Sequence, residues 1–98
     1  MTPSTITLRD GSTIRLPCEV KKGFFPDEAL IRIHDEEIKP VVGYVNEKSI
    51  VEQDGKKYIL ALIMGRSNHK EARVFLPGEI ISGMNPVTFP ITWLYKHL

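Results

Sequence analysis

Tyr58-Ile59-Leu60-Ala61-Leu62-Ile63-Met64 is a run of seven apolar residues, entered through Gln53-Asp54-Gly55-Lys56-Lys57 and left through Gly65-Arg66-Ser67-Asn68-His69-Lys70. A run this short, bounded by turn-forming residues, has the length of a strand, although its periodicity alone also admits a helix. Its unbroken apolarity predicts burial on both faces. With alternating segments on either side, it reads as the central strand of a small closed β structure.

Working outward, Ser49-Ile50-Val51-Glu52 precedes the run, and Asp54-Gly55 supplies the type I′ turn of a hairpin. The first residues repeat the device. Ile6 and Leu8 alternate with polar neighbours, Asp10-Gly11 turns the chain, and Ile14, Leu16, Cys18 and Val20 line one face of the return strand. Pro17 has no N–H to donate, which predicts an edge or bulge position. Residues 29–34 place Ala29, Ile31 and Ile33 on one face and Leu30, Arg32 and His34 on the other. Val41-Val42-Gly43-Tyr44-Val45 follows as a strand whose glycine predicts a bulge or tight bend. Beyond the central run, residues 72–76 predict a further strand, with short ones around Ile80-Ile81 and Val87-Thr88-Phe89. The predicted core unites Ile14, Leu16, Ile31, Ile33, Leu60, Leu62 and Val74.

The tail changes period. Ile91, Leu94, Tyr95 and Leu98 recur at helical spacing behind Pro90, which predicts a short docked helix with Trp93 on its far side. The competing reading is a last strand with Ile91, Trp93 and Tyr95 on one face. Together these elements predict a mostly β fold, residues 1–98 forming a single β-barrel domain. An SH3-like or related Greek-key barrel of six to seven short antiparallel strands with a short C-terminal helix fits their number and spacing. The Gly43-Tyr44-Val45 step after an acidic turn resembles bacterial SH3 modules over three residues and transfers no functional residue.

Composition, at 42% apolar and 26% charged, is that of an ordinary globular chain. No apolar run approaches the roughly 18–20 residues that cross a bilayer, and Met-Thr-Pro-Ser-Thr-Ile lacks the pattern of a signal peptide. The single cysteine, Cys18, reads as a buried structural thiol, which together with these features predicts a cytoplasmic setting. Net charge is +1, but residues 27–54 hold eight acids against three bases and residues 56–73 hold five bases against one acid. That asymmetry predicts neighbouring strand pairs with complementary solvated faces, or a surface that steers a charged partner.

Chemistry-bearing patterns are sparse. His34-Asp35-Glu36-Glu37 offers imidazole and carboxylates at a strand end, but zinc sites draw ligands from separated elements, and His69 and His97 have no matching spacing. No Gly-x-Ser-x-Gly setting or glycine-rich phosphate loop occurs, and no cofactor is predicted. Lys21-Lys22-Gly23-Phe24-Phe25 combines cations with aromatic rings, which suits nucleic acid, whereas a nearly neutral chain does not. The alternative place for Phe24 or Phe25 is the barrel mouth. Outward-facing Leu30 and Phe75 lie on strands whose other face is already apolar.

The reading these features favour is a non-catalytic protein-interaction or assembly module, binding a protein partner or self-associating as a homo-oligomer. Its predicted surface is Lys21, Lys22, Phe24, Phe25, Leu30 and Phe75. A small nucleic-acid-binding barrel comes second, and a metal-dependent or hydrolytic enzyme is a distant third.

Overall fold

The computed structural model describes residues 11–98. Among them the chain forms nine strands: β1 Thr13–Pro17, β2 Glu19–Lys22, β3 Glu28–Asp35, β4 Ile38–Asn46, β5 Ile50–Gln53, β6 Lys56–Arg66, β7 Glu71–Phe75, β8 Gly78–Ile80 and β9 Val87–Pro90. A single 3₁₀ turn, Glu47–Ser49, lies between β4 and β5, and one helix, α1, spans Ile91–Tyr95. The predicted strand at Ile6 and Leu8 lies outside the described residues. Gly11, from its expected turn, has φ +83°, a conformation natural to glycine.

Two antiparallel sheets result. One runs β1-β6-β7-β9, with β5 also paired to β6; the other runs β2-β3-β4-β8. The predicted central strand is central: β1 pairs along one edge of β6, and β5 and then β7 share the other. The hairpin of β5 and β6 turns through Asp54 at φ 54° and Gly55 at φ 78°, as the Asp-Gly step predicts.

The expected barrel is corrected in part, because among the described residues hydrogen bonds do not close the two sheets into one cylinder, and the strands number more than six or seven. The chain instead changes sheets at corners. β1 ends at Pro17 on the edge of its sheet, Cys18 donates its N–H to Lys57 O at 3.0 Å, and β2 starts in the second sheet. Leu76-Pro77 makes the same transfer between β7 and β8.

One core fills the space between the sheets. Ile14, Leu16, Ile59, Ala61, Ile63 and Val74 from the first sheet meet Ala29, Ile31, Ile33, Val41 and Val45 from the second. Cys18 and Val20 pack half-buried against it. Leu60 and Leu62 are a correction. They face outward, Leu60 being 37% exposed and Leu62 half-buried, so β6 is buried on one face only.

Gly43 is a second correction. The register shift between β3 and β4 lies at Ile33–Asp35, not at the glycine. Gly43 instead lies opposite Ile80 of β8 at close quarters: a Cβ there would stand 2.7 Å from Ile80 Cδ1 and 2.8 Å from Glu79 O.

The tail is a helix, as its spacing predicts, but a different face docks. Trp93 is buried with Ile91 and Leu94, while Tyr95 and Leu98 are 36% and 52% exposed. The indole stacks on Phe89, with centroids 5.1 Å apart, and donates Nε1–H to Asp35 Oδ2 at 2.9 Å. A five-residue helix is too short to stand alone, so these contacts hold it.

Candidate interaction surfaces

The outer face of the four-stranded sheet carries part of the predicted surface. Lys21 lies opposite Leu30, Leu30 opposite Tyr44, and Tyr44 opposite Glu79. The loop between β2 and β3 folds its first aromatic ring onto this row, the Phe24 centroid standing 5.5 Å from that of Tyr44. Phe24 and Phe25 are 83% and 68% exposed, so neither fills a barrel mouth, which corrects that expectation.

Glu28 shapes the loop. Its carbonyl accepts from Gly23 N at 3.0 Å, its carboxylate accepts from Phe24 N at 3.0 Å, and its own N–H reaches Phe25 O. Gly23 is required there, since a Cβ would meet Glu28 O at 2.8 Å. Lys22 pairs with Ala29 and so leaves the strand on the opposite side from Lys21. The two lysines do not form one cationic patch. Acids are interspersed on this face, and Glu19 is paired with both Arg32 (3.6 Å) and His34 (2.9 Å).

Phe75 is elsewhere. It lies opposite Leu62 on the outer face of the five-stranded sheet, so the structure divides the predicted surface between two sheets. Along β6 the outward side chains are Tyr58, Leu60, Leu62 and Met64, and Val51 lies opposite Tyr58. Leu60, Met64 and Phe75 are 37%, 42% and 43% exposed. Among the described residues no second layer covers this face. Sequence reasoning missed it by treating the run as doubly buried. A signal was present: Thr13 and Arg15 of β1 and Arg73 of β7 share this face, and charged side chains on both neighbours leave the outer side of the middle strand in solvent.

The His34–Glu37 segment fastens the tail. Asp35 accepts from the Trp93 indole, Glu37 pairs with Lys96, and His34 pairs with Glu19. The indole hydrogen bond, followed by the Glu36 N–H, holds the Asp35 carboxyl below its ordinary value. The hydrogen bond to Glu37 raises Lys96. His97 packs edge-on against Trp93 with centroids 4.5 Å apart, and its Nε2 is buried with no hydrogen-bond partner among the described residues. Burial lowers its pKa. Among the described residues no group of three or more His, Cys, Asp or Glu side chains is arranged to hold a metal ion.

Two grooves open at the seams between the sheets. One runs between the start of β4 and β9, where Pro40, Pro86 and Pro90 line its rim and Asn85 anchors the loop by exchanging hydrogen bonds with the Leu76 backbone. Proline offers no N–H, so this rim resists pairing with an added strand. The other contains Cys18, whose thiol burial pushes up to about 11 against the weaker pull of Lys57. That thiol is protonated at neutral pH and is a poor nucleophile.

The described residues contain no helix long and apolar enough to cross a membrane. Comparison with protein-family models, curated proteins and solved structures finds no match for this chain.

Proposed function

We propose that this chain is a non-catalytic protein-interaction module whose docking surface is the outer face of the five-stranded sheet. The observation that carries the reading is the exposure of Leu60, Met64 and Phe75 around half-buried Leu62, apolar side chains left adjacent on one sheet face. Scattered exposed apolar residues are ordinary, whereas a contiguous group on one sheet face marks a binding surface. The corners at Cys18 and Leu76-Pro77 support placing the fold among partly open, SH3-like small barrels. A protonated, half-buried Cys18 suits a reducing, cytoplasmic compartment.

The test compares the native chain with Leu60→Ser/Met64→Ser in co-purification from native extract, with urea melts of both. The reading expects partners on the native chain that the variant loses at an unchanged melting midpoint. Equal retention by both would refute it.

A second reading, nucleic-acid binding at the β2–β3 loop, draws on the exposed Phe24 and Phe25 rings beside Lys21 and Lys22. The divergence of the lysines and the acids around them weigh against it. It requires that Lys21→Ala and Phe24→Ala reduce single-strand binding, with affinity falling steeply as salt rises.

A further inference from the structure

We infer that the partner of the five-stranded face is an acidic amphipathic helix, an inference that rests on the face being a protein-docking surface. Size is the first argument. From Tyr58 to Met64 the stripe runs roughly 20 Å at ~3.3 Å per residue, the length of about 13 helical residues. Val51 on β5 and Phe75 on β7 widen it by one strand, giving an apolar strip that matches one side of a helix ~10 Å across.

Backbone accounting is the second. Along the stripe, β6 is paired to β1 on one edge, and on the other to β5 up to Ile59 and to β7 from Leu62, which leaves only Leu60 and Ala61 between them, too short a gap to take an added strand. It therefore has no ladder to offer an extended peptide. A partner on this face must satisfy its own backbone, which a helix does.

Charge decides the rest. The outward positions flanking the stripe carry Arg15, Lys56 and Arg73, and no ion pair among the described residues engages any of them. Arg15 Nη1 reaches the neutral Gln53 Oε1 at 3.1 Å, which leaves its charge uncompensated. Among the described residues the one carboxylate on the face, Glu71, accepts from Asn68 Nδ2 at 3.1 Å at its far end. A second copy docked by two-fold symmetry would bring arginines toward arginines. The middle of the stripe, Leu60, Leu62 and Met64, is aliphatic and gives nucleobases little to stack on, its rings being confined to Tyr58 at one end and Phe75 at one side. A segment with one apolar stripe and flanking carboxylates meets both the stripe and its basic margin.

The test uses the full chain with methyl-labelled Leu and Met, titrated with a synthetic Leu/Glu amphipathic helix of about 13 residues, the length set by the stripe. The same titration is run with a Leu/Lys counterpart and with phosphatidylserine–phosphatidylcholine vesicles. Sedimentation of the chain alone accompanies them. The expected result is that the Leu/Glu peptide shifts the Leu60, Leu62 and Met64 methyls and binds roughly fivefold or more tightly than the Leu/Lys peptide, the preference shrinking with salt and in Arg15→Gln/Arg73→Gln. If that variant does not fold, the salt dependence of the native chain carries the test.

Equal binding of both peptides at these methyls would overturn the acidic partner and leave the docking surface standing. Stronger shifts with vesicles would assign the face to anionic lipid, and concentration-dependent dimers shifting the same methyls would assign it to a second copy; either overturns the proposal. No response to any probe would end both this inference and the reading beneath it.

Discussion

Replacing Trp93 with alanine should remove the contact that holds the C-terminal helix on the sheets. The indole is 1% exposed, stacked on Phe89, touched edge-on by His97 and hydrogen-bonded to Asp35. Removing a buried aromatic ring of this kind costs about 3–5 kcal/mol through lost transfer energy and the cavity left behind. A domain of this size is stable by only about 5–15 kcal/mol, so Trp93→Ala lies close to unfolding. With a urea slope of about 1–3 kcal/mol per molar, the midpoint should fall by at least ~1 M. Because Trp93 is the only tryptophan, the melt of the variant has to be followed by circular dichroism.

Two controls separate docking from general damage. Tyr95→Ala, in the same helix but at a 36% exposed position, should cost less than about 1 kcal/mol. Trp93→Phe keeps an aromatic ring but deletes the indole N–H, so the Asp35 carboxyl should titrate upward toward 3.8, its ordinary value, because that hydrogen bond is the largest cause of its depression. An unchanged midpoint for Trp93→Ala, or a loss at Tyr95 equal to that at Trp93, would refute the docking described above.

The two sides of β6 should respond differently to truncation: Ile63→Ala about 2–5 kcal/mol, against under ~1 kcal/mol for Leu60→Ala. Fluorescence-monitored urea melts check the contrast, and equal losses would mean a covering layer on the outer side. His97 makes stability depend on pH. Burial depresses its folded pKa below the ordinary 6.5, so as pH falls through 6.5 the unfolded chain takes up the proton first and stability declines. His97→Gln should flatten the change in urea midpoint between neutral pH and about pH 5, the region where an unperturbed imidazole charges. An unaltered slope would show that His97 is solvated in solution.

Local rules made much of this fold legible. Asp54-Gly55 specifies its hairpin because two consecutive positive φ angles favour that pair. Alternation in residues 29–34 sets the inward side of β3, since a strand's side chains change faces at every residue. The β8 and β9 segments and the terminal helix were likewise readable from short apolar pairs and from a change of period.

What remained hidden had no period to read. Seven consecutive apolar residues fit either face, so the phase of β6 was decided by its partners. Their registry places Ile59, Ala61 and Ile63 over the core and sets Leu60 and Leu62 beside Arg15 and Phe75. A five-residue helix is hardly longer than one turn, so its docking side was settled by an acceptor 58 residues away, Asp35, and by the Phe89 ring. The predicted surface shared this limit. Composition singled out Phe24, Leu30 and Phe75 as apolar residues without an evident place, but whether they shared one face depended on which sheet each strand entered. Between Leu30 and Phe75 the chain passes from one sheet to the other at the 3₁₀ turn Glu47–Ser49, where β4 gives way to β5. Alternation along a strand determines which residues face together; it carries no information about which strands become neighbours, and that choice belongs to the tertiary structure.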